Sequence, residues 1–191
     1  MSDKTFVLID GENLIIRFQD MVSLSWTPVA GVIHEQDQFV WFRKAIYWSS
    51  QEIFRVGFYT TFVGADDELE AFRKRISETS FISTVPHKVD THGTLNPHVF
   101  KKSKKGKGTK SVDINMCVDA LRHSADPNVS SIMLFTGDGD YIPLIEELMR
   151  RGVHVTVRAF SEGCNPKLRY IADDFLELDS QFFSHVPKNA E

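Results

Sequence analysis

Ile132-Met133-Leu134-Phe135-Thr136-Gly137-Asp138-Gly139-Asp140-Tyr141-Ile142-Pro143 is the stretch on which the fold turns. An apolar run of strand character ends at Thr136, passes through a tight Gly-Asp-Gly-Asp turn, and enters a helix. Pro143 lies in that helix's first turn, where its missing N–H is harmless, and Gly152 closes it. The same plan recurs at the start of the chain, where Phe6-Val7-Leu8-Ile9 runs into Asp10-Gly11-Glu12-Asn13. Both sets of acids therefore stand at the carboxyl ends of strands. In an open α/β sheet, that edge is where sites form.

Further strand-like runs fall at about 54–63, 81–86, 153–158 and 174–178, with helical periods between most of them. Leu69, Phe72 and Ile76 mark one helix over 66–78, with Asp66, Asp67, Glu68 and Glu70 in its first turn where the macrodipole favours them. Ile114, Cys117, Val118, Leu121 and Ala125 form an apolar stripe over 111–125, behind Ser111 as N-cap. Asn165-Pro166 opens a last helix. Alternating βα units imply a mainly parallel sheet covered on both faces. Three assignments complete the map. Residues 37–49 read as a helix after an excursion over 20–35, 86–110 as a long insertion, and 181–191 as a tail.

A chain of 191 residues suits one domain, here 1–180, and no apolar run approaches a membrane span. Asp3 and Lys4 lead straight into a strand, so no secretory signal is visible. Two isolated cysteines, Cys117 and Cys164, fit a reducing cytoplasm better than a disulfide framework. Charge is segregated: the net −4 divides into +6 on residues 101–110 and −10 on everything else. Lys101, Lys102, Lys104, Lys105, Lys107 and Lys110 would attract a polyanion to the mouth of an acidic site. No aromatics lie within the run, which points to contact with phosphates rather than bases.

Asp10, Asp113, Asp138 and Asp140 would converge at one sheet edge from three segments, with Asn13 beside them. Crowded carboxylates repel one another unless a cation holds them, and hard oxygen ligands suit Mg²⁺ or Mn²⁺. Two such ions are the apparatus of in-line displacement at phosphorus. Each Asp taken alone reads first as a cap or turn residue. It is their coincidence at one edge that argues for a site. Asp119 lies six positions on from Asp113, about 240° round the helix, so it would orient ligands or face solvent. Thr136 would position a water or phosphate, and Arg158 and Arg169 would clamp phosphates. His87, His92 and His98 with Asp90 lack the short paired spacing of a zinc site.

The segments FVLIDGEN, GTKSVDINMCVDAL, IMLFTGDGDYIPLIEELMRRGVHVTV and LRYIADDFLELD together resemble the NYN domain family, the LabA-like branch of the PIN-like nucleases. The resemblance runs from about residue 4 to 179. It implies a Rossmann-like three-layer α/β/α sandwich. It also implies metal ligation by Asp10, Asp113, Asp138 and Asp140 with Asn13 as polar helper, and metal-dependent endoribonuclease activity through a metal-activated water. The products would carry 5′-phosphate and 3′-hydroxyl ends. One departure is Cys164-Asn165-Pro166, where relatives often carry a Ser. RNA, single-stranded, is the expected partner; a membrane is not, and self-association is left open. Two rivals remain. A haloacid-dehalogenase-like phosphatase needs a second Asp where this chain has Glu12. A regulatory protein that binds RNA or metal without turnover would keep the fold and lose the chemistry.

Overall fold

The computed structural model describes residues 4–47, 52–84, 90–102 and 111–185. In chain order its strands are β1 (Lys4–Asp10), β2 (Thr27–Pro28), β3 (Val32–Glu35), β4 (Phe39–Phe42), β5 (Glu52–Phe62), β6 (Ser80–Ser83), β7 (Thr91–Thr94), β8 (Asn96–Lys101), β9 (Val129–Phe135), β10 (His154–Ala159), β11 (Asp174–Glu177) and β12 (Phe183–His185). Its helices are α1 (Gly11–Ser23), α2 (Asp66–Glu78), α3 (Ser111–His123), α4 (Ile142–Arg150), α5 (Leu168–Ile171) and α6 (Asp179–Phe182), and a 3-10 turn spans Gly139–Tyr141.

Six strands form the central sheet in the order β11-β10-β9-β1-β5-β8, and every neighbouring pair is parallel. Side chains alternate across it. Val7 and Ile9 pack with Leu14, Phe18, Leu69 and Phe72 from α1 and α2 on one face. Phe6 and Leu8 pack with Val112, Met116, Leu144 and Leu148 from α3 and α4 on the other. The result is the three-layer sandwich expected of continuous apolar strands joined by helices. Successive strands move outward from β1 through β5 to β8, then the chain returns through α3 to β9 on β1's other side. The strand order thus reverses at β1/β9. That reversal splays the loops leaving Asp10 and Phe135 apart, opening the crevice where such sheets bind ligands.

Four sequence assignments are corrected. Of the helix expected over 37–49, the described residues, to 47, are not helical: Phe39-Val40-Trp41-Phe42 forms β4, an antiparallel partner of β3, because β-branched and aromatic residues prefer a pleated, buried surface. The insertion at 86–110 contains β7 and the sixth central strand, β8, whose Pro97 is tolerated on an edge. The strand expected at 81–86 is β6, which pairs with β7 rather than joining the central sheet. Of the tail expected over 181–191, residues 181–185 are anchored, since Phe182 and Phe183 are buried and β12 pairs with β2; the rest lies outside the described residues.

Candidate active site

Asp10 ends β1 and caps α1, its Oδ1 accepting the Asn13 backbone N–H at 3.0 Å. A bare cap would sit in solvent, but Asp10 is only 4% exposed. Gly11 follows because the helix starts hard against β5, where a Cβ would stand 2.8 Å from the Tyr59 carbonyl oxygen. The other Asp10 oxygen, Oδ2, accepts from the buried Thr136 hydroxyl at 3.2 Å. Burial, then the Asp113 and Glu12 charges, outweigh these hydrogen bonds and push the Asp10 carboxyl up to about 7.

The turn after β9 is tied to β1 and α1 at two more points. The Thr136 hydroxyl oxygen accepts the Asp138 N–H at 3.1 Å, and Asn13 Oδ1 accepts the Gly137 N–H at 2.9 Å. Asp138 caps the 3-10 turn, accepting the Asp140 N–H at 2.9 Å, and both acids are exposed. The loop before α5 docks on this turn: the Asn165 N–H donates to the Gly137 carbonyl at 2.9 Å. Its side chain also fills the space a Cβ at Gly139 would need. The Cys164 Cα stands 3.3 Å from where a Cβ on Gly137 would lie, so the Cys164-Asn165 departure packs under the acidic turn.

From the other side α3 brings Asp113, half-buried, with Oδ1 accepting from the Tyr141 hydroxyl at 3.0 Å. Tyr141 is 1% exposed. Burial, followed by the Asp10 and Asp113 charges, holds its phenol far above the ordinary range, so it stays a donor. Sequence reasoning quoted this aromatic but assigned it nothing, because only the three-dimensional structure reveals where its hydroxyl points.

Asp10 and Asp113 are within electrostatic reach of one another, and the Asp113 charge helps to raise the Asp10 carboxyl. A buried carboxylate beside a second one is a situation that a divalent ion relieves. The donors are all oxygen, as Mg²⁺ or Mn²⁺ takes. Among the described residues no three His, Cys, Asp or Glu side chains form a ready cluster for one ion. Mg²⁺ commonly makes do with one or two carboxylates, several waters and substrate phosphates, which the Asp10–Asp113 pair matches.

Other expected residues lie elsewhere. Asp119 touches none of these acids. It accepts from the Tyr59 hydroxyl at 2.9 Å and stands 3.8 Å from His98 Nδ1 and 3.4 Å from Arg122. Arg158 is 1% exposed and donates to the Ala45 carbonyl, with its guanidinium 5.9 Å from the Phe135 ring centroid. Burial lowers it to about 10, and it is a core residue rather than a phosphate clamp. Arg169 is ion-paired with Glu177 and lies 4.7 Å over the Phe175 ring. Lys101 pairs with Asp66, while Lys102 stands 3.7 Å from Glu12, which also accepts from the Thr61 hydroxyl. Lys104, Lys105, Lys107 and Lys110 lie outside the described residues, as does His87. Cys117 and Cys164 are free thiols, raised by burial.

The NYN domain profile matches residues 4–179, nearly the whole chain. The chain belongs to the NYN domain family. That family is nuclease-like, of the PIN-like kind. An uncharacterised protein of Methanocaldococcus jannaschii is 34% identical over 71 residues, which is 37% of this chain and 30% of that one. The chain therefore spans under a third of that relative. The crystal structure of a Vibrio parahaemolyticus protein of unknown function superposes with a TM-score of 0.59 at 17% identity. That match covers 96% of this chain and 97% of the other, a likeness of fold. No helix among the described residues of this NYN chain is long and apolar enough to cross a membrane.

Proposed function

We propose that this NYN chain is a metal-dependent endoribonuclease that hydrolyses the phosphodiesters of single-stranded RNA, leaving 5′-phosphate and 3′-hydroxyl ends. The observation that carries the reading is the buried Asp10 with the charge of Asp113 acting on it, at the switch point of a nuclease-family sheet. These two would hold Mg²⁺ or Mn²⁺, with Asn13, Asp138 and Asp140 on the rim. When bound, the ion supplies positive charge at the phosphorus oxygens and lowers the pKa of water. The chain's own part is preorganisation. Thr136 fixes Asp10 and the backbone of Asp138, and Asn13 fixes the turn that carries Asp138 and Asp140. The lysine run would draw RNA past an otherwise acidic surface. Two free thiols support a cytoplasmic setting.

Labelled single-stranded RNA incubated with Mn²⁺ or Mg²⁺ should be cut internally, and EDTA or Asp10→Asn should stop it. The lack of a ready three-acid cluster among the described residues favours a second reading, an RNA-binding protein without turnover. Retention of RNA with no metal-dependent cutting would establish that reading and defeat the first.

A further inference from the structure

Three side-chain ties converge on the turn after β9. Asp10 reaches it through Thr136, α1 through Asn13 and Gly137, and α3 through the bond from Tyr141 to Asp113. The first two join segments whose backbones are already fixed by β1 and β9, which are direct neighbours. The third differs. Buried Val112 and Met116 anchor the α3 backbone, yet the Asp113 side chain is only half-buried and faces the charge of Asp10. Like charge drives a free carboxylate to another rotamer, away from Asp10.

We infer that Tyr141 is the positioning residue of the site: its hydroxyl holds Asp113 Oδ1, keeping that carboxylate against Asp10 and leaving Oδ2 directed to an incoming divalent cation. This rests on the proposed function for the identity of the ligand and deepens it. The phenol suits the task, since its ring is locked in the core and its single O–H can serve only one carboxylate oxygen. Partners that orient a metal-binding carboxylate typically change metal affinity by ~10- to 100-fold when removed.

The test is Mn²⁺ binding measured by calorimetry on the full chain without RNA. Tyr141→Phe keeps the ring and removes the hydroxyl, and should weaken Mn²⁺ binding by ~10- to 100-fold. Tyr59→Phe removes the same chemistry from Asp119 on the same helix and should leave Mn²⁺ binding unchanged. In an Asp113→Ala background, which leaves the hydroxyl no acceptor at 113, Tyr141→Phe should add nothing further. Unchanged affinity in Tyr141→Phe, or an equal additional loss in the Ala background, overturns the inference. A second readout is independent of metal: the Cζ resonance of Tyr141, in protein carrying ¹³C at tyrosine Cζ, should move on Asp113→Ala. If the wild type takes up no Mn²⁺ but the resonance moves, the metal reading falls and the tie stands. If the resonance does not move, the tie itself is overturned, whatever Mn²⁺ does.

Discussion

Helix α3 carries two aspartates that accept from buried tyrosine hydroxyls at nearly the same distance, Asp113 from Tyr141 at 3.0 Å and Asp119 from Tyr59 at 2.9 Å. The local chemistry is the same and the surroundings are opposite. Asp119 lies beside the Arg122 guanidinium, which compensates its charge, and beside His98, which burial keeps neutral; it ties α3 to β5 and β8. Asp113 instead acts on Asp10, a second acid, and its charge helps to raise that buried neighbour. A Tyr–Asp hydrogen bond is therefore no mark of a site. What sets Asp113 apart is a like charge beside it at the point where the strand order reverses.

The largest expected difference between the two is in turnover. Asp113→Asn should lower RNA cleavage by ~10²-fold or more, the scale of losing a preorganised charged group, and Asp10→Asn likewise. Asp119→Asn should stay within a few-fold of wild type. Single-turnover rates at saturating RNA measure this. Equal losses at 113 and 119 would erase the distinction.

Next comes pH. Burial and the neighbouring acids raise the Asp10 carboxyl from its ordinary 3.8 to about 7. A raised carboxyl favours the fold fully below the ordinary value and loses that advantage as pH climbs to the folded one. Without metal, wild-type stability relative to Asp10→Asn should fall by roughly 1.4 kcal/mol per pH unit between about 4 and 7, then level off. Urea unfolding across that range decides it.

Much of this contrast was legible before any coordinates. Periodicity placed the helix at 66–78, and strand-turn-helix punctuation put Asp10 and Asp138 at one edge. The 240° separation already doubted that Asp113 and Asp119 serve one centre. What sequence could not carry was tertiary. The strand β4 looked helical because a four-residue aromatic run has no period of its own. The strand β8 hid inside a loop-like segment because Asn96-Pro97-His98 offers no alternation. Arg158 read as a phosphate clamp because its position on a strand was visible and the side on which it is buried was not.

A smaller, opposite-signed effect should appear in stability. Asp113→Asn keeps an acceptor for Tyr141 while removing repulsion with Asp10, so the metal-free protein should be as stable as wild type or more so. Asp119→Asn keeps the Tyr59 acceptor but removes the charge facing Arg122, a loss of a few tenths to about 1 kcal/mol. Chemical denaturation at neutral pH reads both, and the same sign at both positions would contradict the proposed difference in compensation.

The smallest effect concerns the lysines that precede Asp113. Each phosphate neutralised on a single strand contributes roughly −0.7 to the slope of log affinity against log salt, so six contacts give at most about −4. Lys101 and Lys102 already face Asp66 and Glu12, near the carboxyl ends of β5 and β8. Exchanging those pairs for phosphate gains less than engaging a lysine with no acid beside it in the sequence. Serine at Lys104, Lys105, Lys107 and Lys110 should therefore weaken RNA binding at low salt and flatten the slope more than serine at Lys101 and Lys102. Sequence preference should not change in either variant, because phosphate contacts carry none directly. Fluorescence anisotropy over a salt series measures it. An unchanged slope in the fourfold variant would separate the lysine run from RNA binding and leave the Asp10–Asp113 end to act without it.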